Sequence, residues 1–236
     1  MTRVLAINGS ASMEKGNTQK MLTAFLEGMK EAHAKVETVY AKRLKIRPCT
    51  GSFHCWYTKV GECIHSDDMD SLLPKLREAD VLILATPVFL PLPSGIQNFL
   101  NRLMPIIEPV LEFREGRTHA KFHDNVKISK IVLISVGGWW EIGNFDKVVR
   151  IAEDVAKGVD VEFSGAILRP HASLMNENKE KGEAVLRATK SAGFQLVREG
   201  KISSDTLETI SQPLISEIEF RERYNKMYQT AKESSS

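Results

Sequence analysis

The chain has 236 residues, 32 basic against 30 acidic, and a net charge of +2. That length suits one domain with a full core, and the charge balance argues against a nucleic-acid or anionic-membrane partner. Hydrophobic residues at 42% and charged residues at 26% give an ordinary globular mixture.

MTRVLAINGS has no apolar h-region and no cleavage site, so the N-terminus reads as a strand, RVLAIN (3–8), rather than a signal peptide. Met21, Leu22, Phe25 and Met29 fall on one stripe of a helix over 18–33. KVETVYA (35–41) alternates and is β-branched, a second strand. PCTGSFHCWYTKVGEC (48–63) follows as a long loop holding all three cysteines. A helix opened by a capping Ser or Asp runs to about Ala79, with Pro74 a blemish. VLILATP (81–87) is apolar enough to be buried on both faces of a parallel sheet. The apolar run it begins, VLILATPVFLPLP, carries three prolines and is too short to span a bilayer. SGIQNFLNRLMPII (94–107) reads as a helix weakened by Pro105, and 108–128 as a polar insertion or lid. KIVLISV (130–136) is a fourth strand, 144–159 a helix, VEFSGAIL (161–168) a fifth strand, 179–199 a long helix, and 203–232 a helical tail before a disordered SSS.

Strands alternating with helices, each crossover long enough for a parallel connection, predict a doubly wound α/β fold. Ligands bind such sheets beyond the strands' carboxyl ends, so the loops after Asn8, Ala85 and Val136 are the ones to examine. The first, NGSASMEKGNTQ, combines small hydroxylic residues and Gly with a helix N-terminus, which suits a phosphate held by neutral donors. It has neither the Walker nor the dinucleotide glycine pattern. Composition alone leaves an ordinary loop with Asn17 or Thr18 as helix cap equally open. Three cysteines and no secretory signal predict a reducing, cytoplasmic setting, with thiols or ligands rather than disulfides.

GSASMEKGNT resembles the G-S-x-x-x-x-x-G-N-T loop of the NADPH-dependent FMN reductase and iron–sulfur flavoprotein superfamily. ADVLILATPVFLPLPSGIQNFLNR resembles that family's Thr-Pro-Val-aromatic segment, and the cysteine segment resembles the iron–sulfur branch. VGGWW stands where the third flavin loop follows the fourth strand. The resemblance covers residues 3 to 170 and implies a flavodoxin-like fold: a five-stranded parallel sheet of order 2-1-3-4-5, helices on both faces, and a helical C-terminal tail. The implied organisation is a domain at 1–200, with the cysteine loop 48–63 and the insertion 108–128, and a helical extension at 201–236.

The resemblance assigns the FMN phosphate to Ser10, Ser12, Asn17, Thr18 and Gln19. It assigns the isoalloxazine ring to Pro87, Val88, Phe89 and Leu90, as an apolar wall with backbone N–H groups, and to Gly137, Gly138 and Trp139, with Trp140 beside them. Where family loops often carry Pro-Arg, Ala11 and Ser12 stand, which removes a basic contact and keeps a hydroxyl. Hydride transfer through a flavin needs little side-chain acid–base chemistry, so no catalytic base is assigned; His171 is expected to be structural, and Asp67 and Asp68 to be helix N-terminal charges.

The implied function is an FMN oxidoreductase taking hydride from NAD(P)H to a quinone, nitro compound, flavin or similar acceptor. It is implied to be a homodimer or homotetramer with flavin near the interface. The alternatives are an iron–sulfur electron-transfer flavoprotein and a flavin-free binding module. For the former, Cys49, Cys55 and Cys63 are the candidate ligands, in C-x5-C-x7-C spacing; Ser52 stands where a fourth cysteine would make a [4Fe–4S] set, with His54 or His65 as substitutes. A cluster is not expected on three cysteines, nor is a Cys3His zinc site at such irregular spacing.

Overall fold

A computed structural model describes residues 1–114 and 116–234. Five strands, β1 (Arg3–Asn8), β2 (Lys35–Tyr40), β3 (Val81–Pro87), β6 (Lys130–Val136) and β7 (Glu162–Arg169), form one parallel sheet in the order β2-β1-β3-β6-β7. That is the expected flavodoxin-like order, with a separate hairpin, β4 (Ile107–Arg114) and β5 (Arg117–Phe122), inserted between the third and fourth core strands.

Strand side chains alternate between two cores. Val4, Ala6, Ile83, Ala85, Val132 and Ile134 face a layer built on α1 (Asn17–Glu31) and α6 (Lys179–Glu199). Leu5, Ile7, Leu82, Leu84, Ile131 and Leu133 face the opposite layer of α3 (Met69–Glu78), α4 (Ser94–Asn101) and α5 (Asp146–Gly158). A strand buried on both faces needs apolar residues at every position, which is why these runs are nearly continuous. α1 crosses α6 at two glycines: a Cβ on Gly28 would lie 1.8 Å from Lys190 O, and one on Gly193 1.9 Å from Phe25 O.

Three expectations change, while the helix expected to about Ala79 is present. The helix expected over 94–107 ends at Asn101, and Pro105 sits in a 3-10 turn over 104–106. Pro74 lies inside α3 without ending it. The insertion 108–128 is not a lid over the carboxyl edge of its own sheet. It is a hairpin tied to the amino edge, where Arg114 pairs with Asp160 ahead of β7 and His119 bonds the Lys157 carbonyl at the end of α5. The tail expected over 203–232 is two helices, α7 (Ser204–Ser211) and α8 (Glu217–Ser234), separated by a strap, and Ile210, Leu214 and Phe220 are core residues. Of the expected disordered SSS, Ser234 closes α8, and residues 235–236 lie outside the described residues. Among the described residues no helix is long and apolar enough to cross a membrane.

Candidate functional site

The carboxyl ends of four neighbouring strands are stitched together by backbone bonds, so their loops form one crown. Gly9 N–H donates to Ala85 O at 2.7 Å, Val88 N–H to Val136 O at 2.9 Å, and Gly137 N–H to Arg169 O at 3.0 Å.

After β1, Asn8 is fully buried and organises the loop. Its Oδ1 accepts from Ser10 N–H at 2.8 Å and its Nδ2 donates to Gln19 Oε1 at 2.8 Å. Ser10 Oγ in turn accepts from Ser12 N–H at 3.3 Å. The chain then makes a 3-10 turn over Met13–Lys15 and enters α1 through Gly16, with no side-chain cap hydrogen bond. Asn17 and Thr18 are therefore the first helical residues, not caps, and the positive end of α1 is left for another acceptor. A Cβ on Gly16 would come within 2.9 Å of Ser10 Oγ, so the loop curls tightly over that helix end. Donors, hydroxyls and a glycine-lined cradle fit a phosphate. Gln19 fits the expected role less well, because its amide is engaged with Asn8 and with Thr23 Oγ1. The structure adds Asn8 and Lys42, which sequence reading missed. Lys42 Nζ donates to Ala11 O at 2.9 Å and brings a cation to a loop lacking its own arginine. The signal for Asn8 was a polar residue ending an apolar strand; Lys42 had none, since it arrives from the turn after β2.

After β3, Phe89 is 52% and Leu90 95% exposed, an apolar surface at the crown rim. The segment is apolar, but the expected donors are fewer. Val88 N–H is taken by Val136 O and Phe89 N–H by Pro91 O at 3.1 Å. Both bonds depend on backbone partners that residue types do not reveal. After β6, Gly137 is required by its own fold rather than by close approach of a ligand, because a Cβ there would meet the Phe145 ring at 2.9 Å. Gly138 has open space around its Cβ direction. The two tryptophans divide. Trp139 is 64% exposed, whereas Trp140 stacks on His171 and donates from Nε1 to Ile215 O at 3.1 Å.

His171 is structural, as expected: Nε2 accepts from Leu214 N–H at 3.0 Å and lies 3.2 Å from Arg169 Nη2. Burial first, then the Arg169 charge, pushes its pKa down to about 4. Arg169 is itself buried, its pKa lowered to about 10 by burial, and it donates to the carbonyls of Pro170, Ile210 and Gln212. This cluster anchors the strap 212–215 behind the third loop.

Cys49, Cys55 and Cys63 are free thiols lining one cavity of about 360 Å³ beside α4, together with Ser52, His54 and His65. A buried pair flanks the cysteine segment: Arg102 bonds both Asp67 oxygens, at 2.7 and 3.2 Å, and the Arg47 carbonyl. Asp67 also accepts from the N–H groups of Arg47 and Met69 and, although burial opposes its charge, these bonds lower its pKa. Asp67 and Asp68 thus clamp the cysteine segment, through Arg47 and Lys45, rather than merely charging the end of α3. The donor set does not fit a four-thiolate cluster. Ser52 Oγ already accepts from His54 N–H at 3.4 Å, and among the described residues no three His, Cys, Asp or Glu side chains group to hold a metal.

The profile of the NADPH-dependent FMN reductase family matches residues 2–119, half of the chain. An iron–sulfur flavoprotein of Archaeoglobus fulgidus is 38% identical over 91 residues, 38% of this chain and 40% of that protein. One of Methanosarcina thermophila is 35% identical over 82 residues, 34% of this chain and 42% of that protein. The aligned regions span between 40% and 57% of the lengths of the curated relatives. Among solved structures, an NAD(P)H:quinone oxidoreductase from Methanothermobacter marburgensis superposes with a TM-score of 0.55 at 16% identity, covering 83% of this chain and 96% of that one. An FMN-dependent NADH-azoreductase from Bacillus anthracis, solved with FMN, gives 0.56 at 14% identity, covering 85% and 97%. At such identities the likeness is one of fold.

Proposed function

The chain belongs to the NADPH-dependent FMN reductase family, and from that premise we propose that it is an FMN oxidoreductase that takes hydride from NAD(P)H and passes electrons to a small acceptor such as a quinone, nitro compound or flavin. The observation that carries this reading is the start of α1, left without a side-chain cap beneath a glycine-lined curl of hydroxyls. In this reading the N–H groups of Asn17 and Thr18 and the hydroxyls of Ser10 and Ser12 bind the phosphate, with Lys42 as the nearby cation. Pro87, Val88, Phe89 and Leu90 form one wall for the ring, and Gly138 and Trp139 the facing edge. Bound FMN supplies hydride acceptance and electron release; the side chains bind, orient and exclude water, and none is assigned as acid or base.

Exposed Phe89, Leu90 and Trp139 are an apolar rim that a second copy of the chain covers in a homo-oligomer, shielding the ring from water. The names of the curated relatives favour a second reading, electron transfer through a cluster, but Ser52 in place of a fourth thiolate weakens it. Purified protein incubated with FMN and desalted should remain yellow and oxidise NADPH or NADH when a quinone is added. Colourless protein that cannot be loaded would overturn the reading.

A further inference from the structure

β1 ends in a residue that its burial does not call for. Val4 and Ala6 face the layer built on α1, and strand alternation puts Asn8 on the same side, fully buried where a third apolar side chain would pack. A buried amide is tolerated when its polar atoms are bonded. Resting on the FMN reading above, we infer that Asn8, Gln19 and Thr23 form a positioning relay, which holds the loop after β1 in its phosphate-binding shape before flavin arrives. Gln19 is then a positioning residue and not a phosphate ligand.

One fixed donor sets the direction of the relay. Ser10 N–H can only donate, so the Asn8 atom 2.8 Å from it is the oxygen. Asn8 Nδ2 therefore faces α1 and donates to Gln19 Oε1 at 2.8 Å. That leaves Gln19 Nε2 to donate to Thr23 Oγ1 at 2.9 Å. All four amide heteroatoms have a protein partner. The Gln19 amide nitrogen, the one group there that could donate to a phosphate, is bonded one turn further along α1, away from the helix start.

The relay joins the two halves of the cradle. Gly9 N–H pairs with Ala85 O, so the sheet fixes the main chain as far as residue 9. The loop then leaves the sheet, and Asn8 Oδ1 holds its first amide, that of Ser10. Ser10 Oγ accepts from Ser12 N–H, and Gly16 closes on Ser10 where the chain enters α1. Through Gln19 the same Asn8 side chain is tied to the first turn of that helix. The Ser10 hydroxyl and the N–H groups of Asn17 and Thr18 are thus set relative to one buried point. A site shaped in advance gives up less freedom when its ligand binds. The gain is selective: a loosened cradle loses the phosphate and not the ring. The relay therefore acts on affinity for FMN and not for riboflavin, the same flavin without its phosphate.

The test uses the full-length, flavin-free chain and two probes, FMN and riboflavin, titrated by flavin fluorescence, with hydrogen exchange of the Ser10 amide followed by NMR. Asn8→Leu and Gln19→Leu should each weaken FMN by roughly tenfold, the scale of one lost buried hydrogen bond, and leave riboflavin affinity where it was. The double variant should lose about as much as either single one, because both act through one bond. The Ser10 amide should exchange slowly in the unsubstituted chain and fast in Asn8→Leu. Equal losses for both flavins, independent losses that multiply in the double variant, or fast Ser10 exchange in the unsubstituted chain would each overturn the relay. An unsubstituted chain that binds no FMN overturns the functional reading and the relay's role with it, whereas FMN binding indifferent to both substitutions overturns the relay alone. Gln19 is only half-buried, so Gln19→Leu keeps the test decisive if Asn8→Leu fails to fold.

Discussion

Ser10 is 6% exposed, with its hydroxyl held by Ser12 N–H and Gly16 pressed against it. Its neighbour Ser12 is exposed, so a charge placed there tests binding without touching the core. Ser12→Glu should weaken FMN binding by roughly 100-fold, about 2.7 kcal/mol, through like-charge repulsion of the phosphate, with the melting temperature unchanged; equal affinity by flavin-fluorescence titration would remove Ser12 from the cradle. At Asp67, truncation to Ala leaves the Arg102 charge buried and unpaired, and urea unfolding should show a loss of roughly 3–5 kcal/mol. His171 gives a pH dependence. Its pKa falls from 6.5 to about 4 on folding, so the unfolded chain takes the proton first. Stability is complete above pH 6.5 and drops as pH falls towards 4, by roughly 2–3 kcal/mol from this group. His171→Gln should flatten that acid limb, measured by urea midpoints between pH 7 and 4.5. A structural role for His171 was expected, but its partners and those of Asp67 were not legible in the sequence. A charged residue ending a strand, such as Arg169, reads as surface until its carbonyl partners on Ile210 and Gln212 are placed.

α1 and α6 approach closely enough that glycine is required at both crossing positions. Gly193→Ala should destabilise by at least about 2 kcal/mol, since backbone rather than a flexible side chain stands in the way. An unchanged urea midpoint would show that the helices can separate without loss. The strap and α7 behave as core rather than tail. Ending the chain at residue 203 removes Ile210, Leu214 and Phe220 and leaves Arg169 without two of its carbonyls. The long doubly buried strands were legible because an apolar run admits few other readings. The hairpin was hidden by Pro109, Glu108 and Glu112 and by a register shift between those two glutamates, which together erase strand alternation. The break between α7 and α8 was hidden because helical composition continues on both sides of Pro213.

Across the molecule, the sheet order carries the loops after β1, β3 and β6 to one edge, while the hairpin is tied to the other. Topology therefore explains why short loops far apart in sequence converge at one edge. What composition could not convey was donor accounting: the N–H groups of Val88 and Phe89 are taken by backbone partners. This leaves the start of α1, with Lys42 beside its loop, as the site's attraction for an anion. Titrating the flavin-free chain with FMN, followed by fluorescence quenching, tests the account most directly. We predict saturable binding at one FMN per chain that inorganic phosphate competes away and Ser12→Glu weakens. Absence of saturable binding, or binding indifferent to both, would contradict the account.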